Sequence, residues 1–95
     1  MSIQELKIEL SNRLMDYRSE FAVSDDPEVI EGSRMIASTV DSFLYALGQN
    51  DLQKARLARF AISRQVSDAY YRHPKKLKDV LETMEEIGRM IRPRR

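Results

Sequence analysis

The carboxylates of Glu82, Glu85 and Glu86, with Asp79, are the densest group of residues suited to acid–base chemistry. Spacings of three and four residues place them on one side of a helix. Opposite charges lie four positions away, in the pairs Lys75–Asp79, Lys78–Glu82 and Glu85–Arg89. Such a pattern is typical of a solvated face supported by ion pairs. General acid–base catalysis needs a recessed group with a shifted pKa, and nothing in this segment indicates a recess.

Metal-binding and nucleophilic residues are scarce in the sequence. His73 is the single histidine and there is no cysteine, which excludes disulfides and thiolate metal sites. The sequence has no Glu-x-x-His pair for a di-iron bundle, no Gly-x-Ser-x-Gly and no glycine-rich phosphate loop. We therefore predict that the protein is not an enzyme and has no metal site and no cofactor.

Leu14–Val23, with the sequence LMDYRSEFAV, resembles the arginine-bearing first helix of small all-helical chorismate mutases. Ser24–Pro27 stands where that family has a lysine, and Met35 follows Arg34 where an acidic partner is expected. The substrate-binding set that the resemblance implies is incomplete, so the sequence does not support that activity.

Charge is distributed unevenly along the chain. Residues 1–53 hold 4 basic and 10 acidic residues, a net charge of −6, whereas residues 54–95 hold 12 basic and 5 acidic residues, a net charge of +7. One explanation is that the two halves pack against each other, within or between subunits. The alternative is a basic surface for nucleic acid or for an acidic partner.

The nucleic-acid alternative depends on cations that neutralise phosphates beside aromatic rings that stack on bases. The candidate residues are Arg56, Arg64, Arg72, Lys75, Lys76, Lys78, Arg94 and Arg95. The overall pI of ≈ 8.0 is low for such a domain.

Hydrophobic periodicity predicts four helices that position these residues. They are expected at Ile3–Val23, from Pro27 to about Leu47, at Asp51–Arg72, and at about Lys75–Ile91. Start and stop signals support these bounds: Ser2 with Glu5 as a capping box, Asp26 before Pro27, Gly48 as a C-terminal cap, Asn50 as an N-cap, and Pro74 and Pro93 as terminators. Short loops make neighbouring helices antiparallel.

Each predicted helix has one main apolar stripe. The stripes are Ile3, Leu6, Leu10, Leu14, Tyr17 and Phe21; Val29, Ser33, Ile36, Ala37, Val40, Phe43, Leu44 and Leu47; Leu52, Ala55, Ala58, Ile62, Val66, Ala69 and Tyr70; and Leu77, Val80, Leu81, Met84, Ile87 and Ile91. We expect the third helix to be the centre of the fold, because its three alanines allow close approach.

Two helices carry a second apolar line outside the main stripe. Ile8 and Met15 are seven residues apart in the first helix, and Leu57, Phe60 and Tyr71 lie together in the third. These five residues are the predicted contacts with a partner protein or a second copy. The competing explanation is that isolated apolar residues are common on protein surfaces.

Arg59 interrupts the apolar stripe of the third helix. An arginine in this position commonly lies at the edge of the stripe and extends its charge into water. The alternative is an ion pair with a carboxylate, for which Asp16 and Asp41 are the candidates.

The sequence thus predicts an all-α, antiparallel bundle of about four amphipathic helices. The domain is expected to span residues 1–92, with a basic tail at 93–95; an interleaved homodimer is the second choice. No apolar run reaches the ~20 residues of a membrane span, and the first ten residues, MSIQELKIEL, do not resemble a secretory signal. The expected function is a cytoplasmic regulatory or adaptor protein that acts through protein–protein interaction and self-association.

Overall fold

The structure, a computed structural model, describes residues 2–69 and 75–91, without the side chains of residues 67–69. Its secondary structure is four α-helices, which confirms the predicted fold class. They are α1 (Ile3–Ala22), α2 (Pro27–Gly48), α3 (Leu52–Ala69) and α4 (Lys76–Met90). The predicted end of α3 at Tyr71–Arg72, the role of Pro74, and the tail lie outside the described residues.

Successive helices run antiparallel around a bundle. α1 packs on α2 and on α4, α2 packs on α3, and α3 approaches α4 only sparsely. Contacts between helices define the directions: the end of α1 meets the start of α4 at Glu20 and Lys76, while Arg56 near the start of α3 donates to the carbonyl of Ile91 at the end of α4. The arrangement is the predicted up-down-up-down bundle.

In α1 and α4 the buried residues are nearly all members of the predicted apolar stripes. Leu6, Leu10 and Leu14 are buried in α1, and Val80, Met84 and Ile87 are buried in α4. Each such side chain contributes about 1.5–3 kcal/mol when it is fully removed from water. Phe43 of α2 completes the centre of the core with no exposed surface.

The centre of the bundle differs from the sequence-based expectation. Among the described side chains of α3 only Ala55 and Ile62 are buried, and the rest of its stripe is half-buried. α1 and α2 each have two extensively packed neighbours, whereas α3 has one. The expectation that α3 organises the fold is therefore wrong, because α3 packs extensively on α2 alone and the charged Arg59 stands between it and α4.

Local signals fixed the starts of α1 and α2. The Ser2 hydroxyl accepts a hydrogen bond from the Glu5 N–H at 3.2 Å, as predicted for the capping box. Asp26 accepts one from the Glu28 N–H at 2.9 Å, with Pro27 in the first turn. Both signals are read from neighbouring residues alone, which explains why the sequence revealed them.

The connection between α2 and α3 corrects two assignments. Asp51, not Asn50, caps α3, since its carboxylate accepts the Lys54 N–H at 3.1 Å. Asn50 has φ of 57° and makes the left-handed turn, while Gly48 is the last residue of α2 and has no positive φ. Asparagine tolerates this conformation better than most other non-glycine residues do.

The start of α4 is capped from another helix. A carboxylate oxygen of Glu20, near the end of α1, accepts the Lys76 N–H at 2.8 Å. Lys75, the residue at the cap position, makes no side-chain cap of its own. The packing of α1 on α4 therefore also satisfies a backbone donor that the local sequence leaves open.

Tyr17 is a buried polar residue at the contact of α1 with α2. Its ring packs edge-on against Phe21 with a centroid distance of 5.0 Å. The Ser33 hydroxyl faces the Tyr17 hydroxyl, but the tyrosine oxygen makes no well-formed hydrogen bond with the described residues. Burial raises the pKa of Tyr17 above the ordinary 10.0; Ser33 opposes this and the Glu20 charge adds to it.

We expect Tyr17→Phe to preserve stability at neutral pH and to remove an alkaline loss of stability. The unfolded chain ionises Tyr17 near pH 10.0, whereas the folded chain does so at higher pH, so the wild type loses stability above pH 10. At neutral pH the free energy of unfolding of Tyr17→Phe is expected to stay within about 1 kcal/mol of the wild-type value, because the buried hydroxyl lacks a strong hydrogen-bond partner. Urea unfolding across this pH range measures both effects. Tyr45→Phe is the exposed control, and parallel curves for wild type and Tyr17→Phe would contradict the prediction.

Candidate protein-binding groove

The sparse contact between α3 and α4 leaves a groove of ≈ 260 Å³ along the two helices. We call it the α3–α4 groove; it is lined by Arg59, Ile62, Ser63, Val66, Leu81, Met84 and Glu85. The sequence contained no signal for it, because each helix separately shows a normal amphipathic stripe.

The floor of the α3–α4 groove is apolar. Ile62 and Met84 are buried at its base. Val66 and Leu81 are only half-buried, although both pack against the core. These two side chains keep apolar surface open to water that a further helix would cover.

Arg59 separates α3 from α4 at one end of the groove. Its side chain lies over Gly88, where an added Cβ would fall 2.7 Å from the Arg59 Nε. Glycine at this position gives the guanidinium room to cross between the helices. The Arg59 side chain keeps 36% of its surface exposed, in agreement with the prediction that it lies at the edge of its stripe.

The ion pair of Arg59 differs from both predicted pairings. Its Nη2 lies 3.9 Å from the Glu85 Oε1, whereas Asp41 is paired with Arg18. Asp16 and Asp41 lie on α1 and α2, and Arg59 instead faces α4. The separation from Glu85 exceeds a hydrogen bond, so the pair is loose.

We expect Arg59→Met to leave the fold intact. A partly exposed, loose ion pair contributes at most about 1 kcal/mol. Methionine keeps the apolar stem that lies over Gly88. The free energy of unfolding in urea is therefore expected to change by less than about 1 kcal/mol. A larger loss, or a transition that is no longer cooperative, would show that the pair fixes the register of α3 on α4.

Phe60 stands beside the groove on the surface of α3. It is 72% exposed. Arg56 and Ser63, one turn away on either side, both face α4, so Phe60 lies at the groove's outer rim. Leu57 is 60% exposed and leans towards the α2 side, where Gln65 accepts a hydrogen bond from Thr39.

Ile8 and Met15 form a separate surface on α1. They are 56% and 64% exposed. Since α1 neighbours α2 and α4 while α3 neighbours α2, the two helices lie across the bundle diagonal. The predicted contact residues thus divide between two surfaces, and Tyr71 lies outside the described residues.

Other exposed apolar residues were not assigned to a partner surface by the sequence. Tyr45 and Met35 of α2 are 71% and 56% exposed, and Val23 and Met90 lie near helix ends. Tyr45 and Met35 lie away from the α3–α4 groove and are useful controls for it, although Tyr45 lines a separate cavity of ≈ 570 Å³ between α2 and the start of α3.

Among the described residues, the predicted nucleic-acid residues are spread along the length of the bundle. The Arg56 guanidinium donates to the Ile91 carbonyl at 3.3 Å, at the end of α4. Lys75, Lys76 and Lys78 lie at the opposite end of α4, about 20 Å away at 1.5 Å rise per residue. Arg64 is exposed on α3. Arg72, Arg94 and Arg95 lie outside the described residues.

The carboxylates of α4 lie on its outer side. Glu82, Glu85 and Glu86 are exposed, and Glu85 faces Arg59. Within residues 2–69 and 75–91, no three acidic or histidine side chains converge on a point where a metal ion would bind. In the same part of the chain, no helix has both the length and the apolar character that crossing a membrane requires.

No protein-family model, no curated protein and no solved structure matches this chain.

Proposed function

We propose that this protein is a small, non-enzymatic regulator or adaptor that binds an amphipathic helix of another protein in the α3–α4 groove. The observation that carries the proposal is the incomplete packing of α3 on α4, which leaves Val66 and Leu81 half-covered. An amphipathic helix laid into an apolar groove is a recurrent mode of protein recognition.

The composition of the groove suits this mode. Its floor is aliphatic, which supplies affinity through apolar burial. Arg59 and Glu85 at the rim can orient a partner through charged contacts. Phe60, at the outer rim of the groove, adds a large exposed aromatic side chain that a bound helix can cover.

The first experiment is photo-crosslinking from single cysteines. The chain contains no cysteine, so Phe60→Cys can be labelled at one position with a benzophenone. Tyr45→Cys is the matched control, because Tyr45 and Phe60 are 71% and 72% exposed on different helices. The proposal predicts that position 60, and not position 45, crosslinks to a discrete partner in an extract of the source cells.

The same pair of positions then gives a quantitative test with the purified partner. Phe60→Asp is expected to weaken binding at least about tenfold, whereas Tyr45→Asp changes it by less than about threefold. Equal effects of the two variants, or none, would reject the α3–α4 groove as the binding site.

Salt dependence separates this proposal from nucleic-acid binding. Fluorescence anisotropy with duplex and single-stranded DNA and RNA is measured at several salt concentrations. Binding that weakens steeply with salt and requires Lys75, Lys76 and Lys78 would favour the nucleic-acid alternative. Our proposal predicts no such binding, because the described cations are divided along the bundle.

A further inference from the structure

We infer that the α3–α4 groove also accepts the outer face of α1 from a second copy of this chain, so that copies associate head to tail. This inference rests on the proposed function of the groove as a helix-binding site. It joins the two surfaces that the fold separates: Ile8 and Met15 on one side of the bundle, and the groove with Phe60 on the other.

The dimensions of the two surfaces agree. Ile8 and Met15 are seven residues apart, which is about 10.5 Å along a helix. The α3 wall of the groove runs from Arg59 to Val66, also seven residues and about 10.5 Å. The spacing of Ile8 and Met15 therefore equals the length of the whole α3 wall, of which Ile62 to Val66, about 6 Å, is apolar.

The charges of the two surfaces are complementary. Glu5 and Asp16 lie on one side of the line of Ile8 and Met15 on α1, and Lys7 and Arg18 lie on the other side. The groove carries both signs as well, with Arg59 on its α3 wall and Glu85 on its α4 wall. Because Arg59 lies 3.9 Å from Glu85, its guanidinium retains donors for a carboxylate of an incoming helix.

The positions of the two surfaces determine the symmetry of the assembly. Since the α1 face and the groove are different surfaces, their contact is heterologous. Each copy keeps one surface open, and association continues to longer chains unless a ring closes. A two-fold dimer, in which one groove faces another, would leave Ile8 and Met15 uncovered.

The experiment is sedimentation velocity of the full chain over a range of concentrations, with wild type, Met15→Asp, Phe60→Asp and Met35→Asp. The wild type is expected to form dimers and larger species. Met15→Asp and Phe60→Asp are each expected to weaken association at least about tenfold. Met35→Asp, an exposed methionine on α2, is the control and is expected to change it by less than about threefold.

Mixing the two defective variants gives the decisive result. Met15→Asp keeps its groove and Phe60→Asp keeps its α1 face, so an equimolar mixture is expected to form a dimer that grows no further. Association of the wild type should also weaken as salt rises, because opposite charges meet. Circular dichroism of each variant confirms that the helices remain folded.

Three outcomes would overturn the inference. A wild type that stays monomeric at its highest soluble concentration rejects self-association, while binding of the crosslinked partner would still support the proposed function. Association that Met15→Asp leaves unchanged rejects the α1 face. A mixture of the two variants that stays monomeric rejects the head-to-tail contact.

Discussion

Leu10→Ala is expected to destabilise the protein by about 3 kcal/mol, within the ~2–5 kcal/mol that such truncations cost in a buried core. Leu10 has no exposed surface and lies in the middle of α1, the helix that packs on both α2 and α4. Truncation removes apolar contacts and leaves a cavity that two neighbouring helices must close. A domain of this size has about 5–15 kcal/mol of stability, so the loss is a large fraction of the total.

Urea unfolding followed by circular dichroism measures this change. Leu57→Ala is the matched control, because it makes the same substitution at a leucine that is 60% exposed on α3. Its effect is expected to stay within about 0.5 kcal/mol, as for other surface positions. Similar losses at the two positions would refute the burial of Leu10 in the core.

Arg13→Met is expected to lower the free energy of unfolding by about 1.5 kcal/mol. This value is at the lower end of the contribution of a hydrogen bond made by a charged donor. One guanidinium nitrogen of Arg13 donates to the Thr83 hydroxyl at 2.7 Å and to the Asp79 carbonyl at 3.1 Å. The other lies 2.6 Å from a carboxylate oxygen of Glu9. Methionine retains the apolar stem, so the loss reports the polar contacts of Arg13 with α4 and with Glu9 of its own helix.

Arg18→Met is the control for Arg13→Met. Arg18 also forms an ion pair between helices, with Asp41 of α2, but both side chains are about half exposed. Exposed pairs contribute about 0–1 kcal/mol. The two variants are compared by the midpoint of urea unfolding at low and high salt. Arg13→Met is expected to be less stable than Arg18→Met at both salt concentrations. Equal midpoints for the two variants, or a difference in midpoint that disappears at high salt, would show that the Arg13 contacts contribute no more than the exposed Arg18 pair.

Both predictions concern the placement of α1, which matters for the proposed interactions. The inward side of α1 carries Leu10 and Arg13, and its outer side carries Ile8 and Met15. A weakened contact with α4 would therefore disturb the surface that we propose enters the groove of another copy. Binding and association measurements on core variants should accordingly be accompanied by unfolding curves.

The sequence by itself determined the local structure of this protein. Helix periodicity placed Leu6, Leu10 and Leu14 in the core, and cap residues such as Ser2 and Asp26 marked the helix starts. These features depend on residues within one or two turns of each other, where spacing fixes geometry. For the same reason the exposed positions of Ile8, Met15, Leu57 and Phe60 outside the main stripes were predictable.

The tertiary structure alone decided how the helices meet. Three features join residues that are distant in sequence. They are the α3–α4 groove, the position of the Arg59 side chain over Gly88, and the capping of the Lys76 N–H by Glu20. Two regular amphipathic stripes do not reveal whether their helices pack closely, because the distance between them depends on the volumes of all the side chains in the shared core. The packing that leaves Val66 and Leu81 half-covered is therefore a property of the whole bundle and not of either helix.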